Sequence, residues 1–528
     1  MNNNTLTGRN RVVIENVSPR VDAGRFPIKR TAGETVMVMA DIFADGHDAI
    51  AAVVKYRPPG ETVWREAGMT PLVNDRWRGE FSVDTLGQYL YTVEAWIDRF
   101  RSWRADLRKR LDAGQVVTVE WRVGADLVEI AAAAAPAMEA GLLRAAAEEL
   151  RGPNAAARQR RAFDESLAEL MRRYSPRRHA TLYEQEFKVV VDRPLARFGA
   201  WYELFPRSFD GFKGCEEQLP RLAEMGFDIL YLPPIHPIGK SFRKGKNNNV
   251  NCEPGEPGSP WAIGSDEGGH KAIHAELGTL DDFKHLAARA GEFNIELALD
   301  IAFQCAPDHP YVREHPQWFR QRPDGTIQYA ENPPKKYQDI VPFDFECDDW
   351  RNLWQELKSV FEYWMEQGIK IFRVDNPHTK TFAFWEWCIG ELKAKDPELI
   401  FLSEAFTRPK PMYRLAKLGF TQSYNYFPWR NSKEELESYL AELTQTDVAE
   451  FFRPNLWPNT PDILTQFLQV GGPNAFALRF VLAATLGASY GIYGPAFEYC
   501  ENTPREPGSE EYLNSEKYQL RPRDGSAP

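Results

Sequence analysis

The run Gly368-Ile-Lys-Ile-Phe-Arg-Val-Asp-Asn-Pro-His378 constrains the fold more than any other stretch of this chain. Ile369 to Val374 is a short apolar run that delivers a carboxylate, Asp375, at its C-terminal end. The pattern repeats about one helix later in Leu399-Ile-Phe-Leu-Ser-Glu404. Parallel strands covered on both faces read as such apolar runs, and a charge at their C-terminal end lies on the rim where barrel active sites are built. Two carboxylates delivered this way suit a nucleophile and a general acid/base. The competing reading is that each acid caps the helix after it, where the positive end of the helix dipole favours a negative charge.

From about residue 197 strand and helix alternate. Candidate strands are Phe198–Leu204, Ile229–Leu232, Ile295–Ile301, Ile369–Val374, Leu399–Leu402, Gln422–Tyr426, Leu456–Trp457 and Gly491–Tyr493. Amphipathic helices separate them, among them Glu216–Met225, Leu280–Ala290, Trp350–Gly368 and Lys433–Leu443. Eight strands with intervening helices predict a (β/α)8 TIM barrel over residues 191–528. A doubly wound open sheet is the alternative, but its first strand would lead into a Gly-rich phosphate loop. Here that strand leads to Pro206-Arg-Ser-Phe-Asp210. Two long insertions, about 240–275 and 304–344, follow the second and third strands, where rim loops carry specificity.

The preceding residues predict a multidomain protein, as a length of 528 residues already implies. Runs Val12–Val17, Thr35–Phe43, Ala49–Tyr56, Gly79–Val83, Tyr89–Ile97 and Val116–Trp121 alternate or are β-branched, and turn signals separate them. They predict an N-terminal β-sandwich over 1–124. Composition then shifts to Ala, Glu, Leu and Arg, predicting a helical insert over 125–190 that breaks at Gly152-Pro153-Asn154. Its alanine surplus suits close helix packing, including between two copies of the chain.

A net charge of −11 argues against a nucleic-acid partner or an anionic membrane surface. No apolar run is long enough for a transmembrane helix, and the start Met-Asn-Asn-Asn-Thr has no secretory character. The six cysteines are widely spaced and never Cys-x-x-Cys, which suits reduced thiols in the cytoplasm and predicts no metal site.

Four strand ends carry an acid or lead to one: Asp300, Asp375, Glu404 and Asp462. Acids that converge repel one another, so helix capping alone does not explain their recurrence. Two carboxylates across a sugar C1 are what glycosidic exchange requires. In their order, Asp300-Ile-Ala-Phe-Gln-Cys305, Phe372-Arg-Val-Asp375, Ser403-Glu404 and Asn459-Thr-Pro-Asp462 resemble the four short regions of the α-amylase superfamily. Within it, the chain looks most like the bacterial α-1,4-glucan:maltose-1-phosphate maltosyltransferases. The carriers are Phe242-Arg-Lys-Gly-Lys-Asn-Asn248, Phe303-Gln-Cys-Ala-Pro-Asp-His309, Asp375-Asn-Pro-His-Thr379, Pro458-Asn-Thr-Pro-Asp-Ile-Leu464 and Asn514-Ser-Glu-Lys-Tyr518. Ordinary amylases have histidines where this chain has Cys305 and Pro461, and the transferases share these replacements.

The resemblance implies Asp375 as nucleophile, Glu404 as general acid/base and Asp462 as transition-state stabiliser. It implies Lys244, Gln304, Asp339, Arg373, Asn376, Lys517 and Tyr518 as substrate-binding residues, no cofactor, and a homodimer. The implied reaction moves maltosyl units from α-maltose 1-phosphate to the non-reducing end of an α-1,4-glucan, with the two carboxyl groups about 5–5.5 Å apart for net retention. A hydrolase or transglycosylase using plain α-glucans, or an inactive glucan-binding fragment, are the alternatives. The family continues past the eighth strand with a last helix and a C-terminal β-sandwich. This chain runs instead into a polar segment, Tyr518 to Pro528, so lower stability is expected.

Overall fold

The computed structural model describes residues 8–333 and 335–523, so the Met-Asn-Asn-Asn-Thr start and the last residues of the polar tail lie outside it. The chain divides into two compact units, 1–191 and 192–528.

The first unit is built on a curled nine-stranded sheet. Its strands run in the spatial order Val12–Ser18, Glu34–Ala44, Arg76–Val83, Arg65–Pro71, Ile50–Arg57, Gly87–Ile97, Phe187–Asp192 and Ile28–Thr31, with Thr181–Leu182 paired to Gly87–Ile97. Along Glu34–Ala44 the residues Val36, Val38, Ala40 and Ile42 are buried while their neighbours face out, the period of a half-buried strand. Five helices lie between Ile97 and the returning strand: Arg99–Asp112, Thr118–Ala132, Ala137–Arg151, Ala155–Ala162 and Glu165–Tyr174. The break expected at Gly152-Pro153-Asn154 is present. The Asn154 side chain accepts the Ala157 amide at 3.0 Å and so caps the helix that follows.

The helices start at Arg99, earlier than composition suggested, and the expected strand Val116–Trp121 is mostly the first turn of Thr118–Ala132. Its valines favour a strand locally, but packing decides otherwise. Trp121, Ala125 and Val128 keep helical spacing and bury together with Trp103 and Leu107. Trp103 donates its indole N–H to the Glu120 carbonyl at 2.7 Å, and its ring lies so close to Gly124 that a Cβ there would sit 2.0 Å away.

The second unit is the barrel. Its strands are Gly199–Glu203, Ile229–Leu232, Glu296–Ile301, Ile371–Val374, Ile400–Ser403, Gln422–Ser423 and Ser489–Tyr493, all parallel. The expected seventh strand is an extended segment, 453–457, held by single bridges from Pro454 to Ser423 and from Leu456 to Tyr490. Asn455 donates to the Ser423 carbonyl at 2.9 Å and Leu456 to the Ser489 carbonyl at 3.0 Å, so the ring of eight closes. Trp201, Ile229, Tyr231, Ala298, Ile371, Ile400, Leu402, Tyr424 and Trp457 fill its interior.

Ala262, Ala306 and Ile340 of the two insertions form a small core with Ile238, which leads into the first of them. Beyond Tyr493 a short helix, Gly494–Glu498, leads to a segment that pairs with the loop after the seventh strand, where Leu464 donates to the Glu510 carbonyl at 2.7 Å. At the opposite end of the barrel, buried Asp192 receives Lys393 and Arg453, each at 2.5 Å. Among the described residues no helix is long and apolar enough to cross a membrane.

Candidate active site

Strand periodicity brings the acids together. Ile371, Arg373 and Asp375 share one face of the fourth barrel strand and its end, and Ile400, Leu402 and Glu404 share the matching face of the fifth. The isoleucines and Leu402 are in the barrel core, so the polar residues above them point over the same interior. Val374 is in register with Ser403, and Asp300 with Arg373. Asp375 and Glu404 therefore stand one step beyond a paired position, at the same rim.

Arg373 joins the acids. Its Nη1 lies 2.8 Å from Asp300 Oδ2 and 3.1 Å from Asp375 Oδ1, and its Nη2 lies 3.6 Å from Glu404 Oε1. The guanidinium rests 5.7 Å from the ring centres of both Tyr231 and Tyr424, an aromatic floor that favours a cation. Asn376 makes a second bridge. Its backbone N–H donates to Glu404 Oε2 at 3.0 Å and its side-chain amide to Asp375 Oδ2 at 3.3 Å. That geometry depends on a left-handed backbone at Asn376, with φ 41°, which asparagine tolerates better than most residues.

Burial sets the protonation states. It pushes the Glu404 carboxyl up to about 7, with Arg373 pulling the other way and Asp375 adding to the rise. Burial raises Asp300 to about 7 by the same route, against Arg373. Tyr231 donates its hydroxyl to Asp300 Oδ2 at 2.5 Å, and the Trp261 indole donates to the same oxygen at 3.3 Å. A carboxyl that holds its proton to neutral pH, beside one held by a guanidinium and an amide, is the arrangement of an acid and a nucleophile.

A second cluster gathers around Trp261. The Gln304 amide donates to the Trp261 carbonyl at 3.3 Å, and Lys517 Nζ lies 5.1 Å from the indole ring centre. Lys517 pairs with Asp462, and Tyr518 beside it is buried. Lys244 is buried and donates to Gln338 at 3.0 Å. Burial raises the neighbouring Asp339, against Lys244 and Lys517. Every site residue expected from the sequence thus falls into one of two groups: Asp375, Glu404, Arg373 and Asn376 in the first, and Lys244, Gln304, Asp339, Asp462, Lys517 and Tyr518 in the second. Trp261 touches both, because it binds Asp300 with its indole N–H and underlies Lys517 with its ring.

Sequence reasoning passed over Trp261, Tyr231, Glu203 and Lys380. Glu203 had a usable signal, since it ends the first strand as Asp375 follows the fourth, and burial holds its carboxyl well above its ordinary value. The other three lie in no pattern that periodicity detects.

Among the described residues, one group of side chains has metal-ligand chemistry. His270, Cys305 and His309 are buried and offer ligand atoms within 4.8 Å of one another. Their hydrogen bonds argue against an ion. The Tyr311 amide donates to His309 Nδ1 at 3.0 Å, His309 Nε2 meets His270 Nδ1 at 3.0 Å, and His270 Nε2 meets the Ala302 carbonyl at 2.9 Å. This is a one-way chain of neutral imidazoles. A metal on His309 Nε2 would put a proton on Nδ1, facing the Tyr311 N–H donor. Burial lowers both rings, His270 to about 4 and His309 to about 2, and so keeps them neutral.

Similarity to known proteins agrees with this geometry. Residues 10–193 match the family model described as alpha-1,4-glucan:maltose-1-phosphate maltosyltransferase, domain N/S. The chain is 53% identical over 528 residues to the alpha-1,4-glucan:maltose-1-phosphate maltosyltransferase of Chlorobaculum tepidum, covering 99% of this chain and 79% of that relative. It is 52% identical to the protein of that name from Methylacidiphilum infernorum, covering 99% and 79%. The Myxococcus xanthus protein of that name is 51% identical, over 96% of this chain and 78% of the relative. With the paired carboxylates at one rim and identity near half over almost its whole length, the chain belongs to the α-1,4-glucan:maltose-1-phosphate maltosyltransferase family.

Proposed function

We propose that this protein transfers maltosyl units from α-maltose 1-phosphate to the non-reducing end of an α-1,4-glucan and releases inorganic phosphate. The observation that carries the reading is the double bridge between Asp375 and Glu404, through Arg373 and Asn376, at one rim of the barrel. In the first step an Asp375 oxygen bonds to C1 of the donor. The C1–O bond to phosphate breaks, its electron pair leaves with the phosphate, and Glu404 protonates the departing oxygen. In the second step Glu404, now a carboxylate, takes the proton of the acceptor 4-hydroxyl. That oxygen bonds to C1 and frees the Asp375 carboxylate. Two inversions at C1 preserve the α linkage.

Lys244 and Lys517 supply positive charge for the phosphate, with Gln304, Asn376 and Tyr518 as hydrogen-bonding groups. Asp339 and Asp462 receive sugar hydroxyls, Asp462 steadying the oxocarbenium-like transition state, and Arg373 orients the nucleophile. The test follows free phosphate from α-maltose 1-phosphate with a short maltooligosaccharide acceptor. Turnover is expected with the donor, and the rate constant is expected to fall as pH rises above about 7, because Glu404 then lacks the proton for the first step. Transfer from unphosphorylated maltooligosaccharides at an equal rate would contradict the reading.

The protein is further proposed to act as a homodimer in the cytoplasm. Six free cysteines support a reducing compartment. For the dimer, support comes from helix Thr118–Ala132, which exposes Val119, Val123 and Ile130 along one face. The next helix exposes Met138 and Leu142. Solvent-facing apolar residues at helical spacing fit a second copy of the same helices. Sedimentation should give twice the chain mass, and Val119→Glu with Leu142→Glu should give monomers. A monomeric parent chain would refute the dimer.

A further inference from the structure

Lys380 is buried in the turn that follows Asp375, yet the ion pairs described above do not include it. Its ammonium donates to two backbone carbonyls, those of Asp375 at 3.4 Å and Asn376 at 3.2 Å. A buried ammonium is costly unless the surrounding potential compensates for it. The groups around it explain its retention. Asp375 lies on its own turn, Glu404 at the end of the fifth strand, Asp300 on the third strand, and Arg373 beneath them. His378 is its other titratable neighbour, held below its ordinary value by burial and by Lys380, and so neutral.

Three carboxyl groups, those of Asp300, Asp375 and Glu404, gather around Arg373, and the Lys380 ammonium is the second cation near them. The turn itself is held by the same side chain. Asn376 adopts the left-handed backbone that aims its N–H at Glu404, and its carbonyl accepts from Lys380 and from Thr379. The adjoining Pro377 carbonyl accepts the Trp385 indole N–H at 2.9 Å.

We infer that Lys380 is a positioning residue for the transfer reaction: its ammonium supplies positive charge to the three buried carboxyl groups and clamps the Asp375–Asn376 turn, which holds the Asn376 N–H against Glu404. This inference rests on the proposed function of the same site. It acts through the carboxyl groups, and Lys380 need not touch the sugar.

The experiment compares wild type with Lys380→Met, Lys380→Gln and Lys380→Arg, following phosphate release from α-maltose 1-phosphate across pH. Loss of a nearby cation makes every carboxyl group in the cluster harder to ionise. Both limbs of the kcat profile are therefore expected to move toward alkaline pH by about one unit in the Met and Gln variants. At neutral pH kcat should fall by at least about tenfold with KM changed by less than about threefold, since the lost group acts on the reacting carboxyls and not on ground-state binding. Lys380→Arg should return the limbs toward their wild-type positions. A buried lysine accepts methionine in the same volume, and the Gln variant keeps a donor for the carbonyls, so the two neutral variants separate charge from hydrogen bonding. If wild type releases phosphate and the limbs of both neutral variants stay in place, the inference is overturned and the transfer reading stands. If wild type releases none, the transfer reading fails and the inference falls with it.

Discussion

Asp375→Ala is expected to lower the rate of phosphate release on the order of 10^5-fold while leaving the fold intact. Without a carboxylate at this position no oxygen can bond to C1 from the face opposite the phosphate, and the double-displacement route closes. Its neighbours should survive the change. Arg373 keeps Asp300 at 2.8 Å, Asn376 keeps its backbone bond to Glu404, and the aromatic floor of Tyr231 and Tyr424 stays in place. Removing one acid from a cluster of like charges relieves repulsion, so the melting temperature should hold or rise. Residual activity within about a hundredfold of wild type would mean that another group attacks C1, and the assignment of Asp375 would be lost.

Asp192→Ala is expected to cost about 3–5 kcal/mol of stability, the range for breaking a buried ion pair and leaving its partners uncompensated. Asp192 lies just before the first barrel strand and is buried, with Lys393 from the helix after the fourth strand and Arg453 from the seventh segment on its two oxygens. Its loss leaves two poorly exposed cations without a partner. Burial works against the ionised carboxyl, but Lys393 and Arg453 overcome it and hold the group well below its ordinary value. A depressed carboxyl contributes stability above its unfolded value near 4 and loses it as pH falls through that value and on toward the folded one. The gap between wild type and variant should therefore be full at neutral pH and shrink in acid. Denaturant melts across pH measure it, and a gap that stays constant from pH 7 to below 3 would refute the ionic account.

The parts legible in the sequence were those that depend on short-range pattern. Each acid at the rim follows an apolar run, and alternation along the strand already says that Arg373 and Asp375 share a face. The break at Gly152-Pro153-Asn154 was readable because Asn capping is local. Val116–Trp121 was misread because its valines carry strand propensity, whereas its conformation is decided by packing of Trp121 and Gly124 against Trp103, which comes from the preceding helix. The seventh strand was expected as an element and is instead an extended segment held by single bridges, a distinction made by its neighbours and not by its own residues. Lys380, Tyr231 and Trp261 escaped notice for a related reason: burial of a lysine, or the target of a hydroxyl, exists only once other strands are in place.

Trp261 has a consequence for how such an enzyme can change. One face of a single residue on a rim loop lies against Lys517, while its edge donates a hydrogen bond to Asp300, which Arg373 joins to Asp375. Under the function proposed above, recognition and reactivity are thereby yoked. A lineage that reshapes this loop to accept a different leaving group also retunes the acidity beneath it, so a new donor specificity and a new working pH should arrive together.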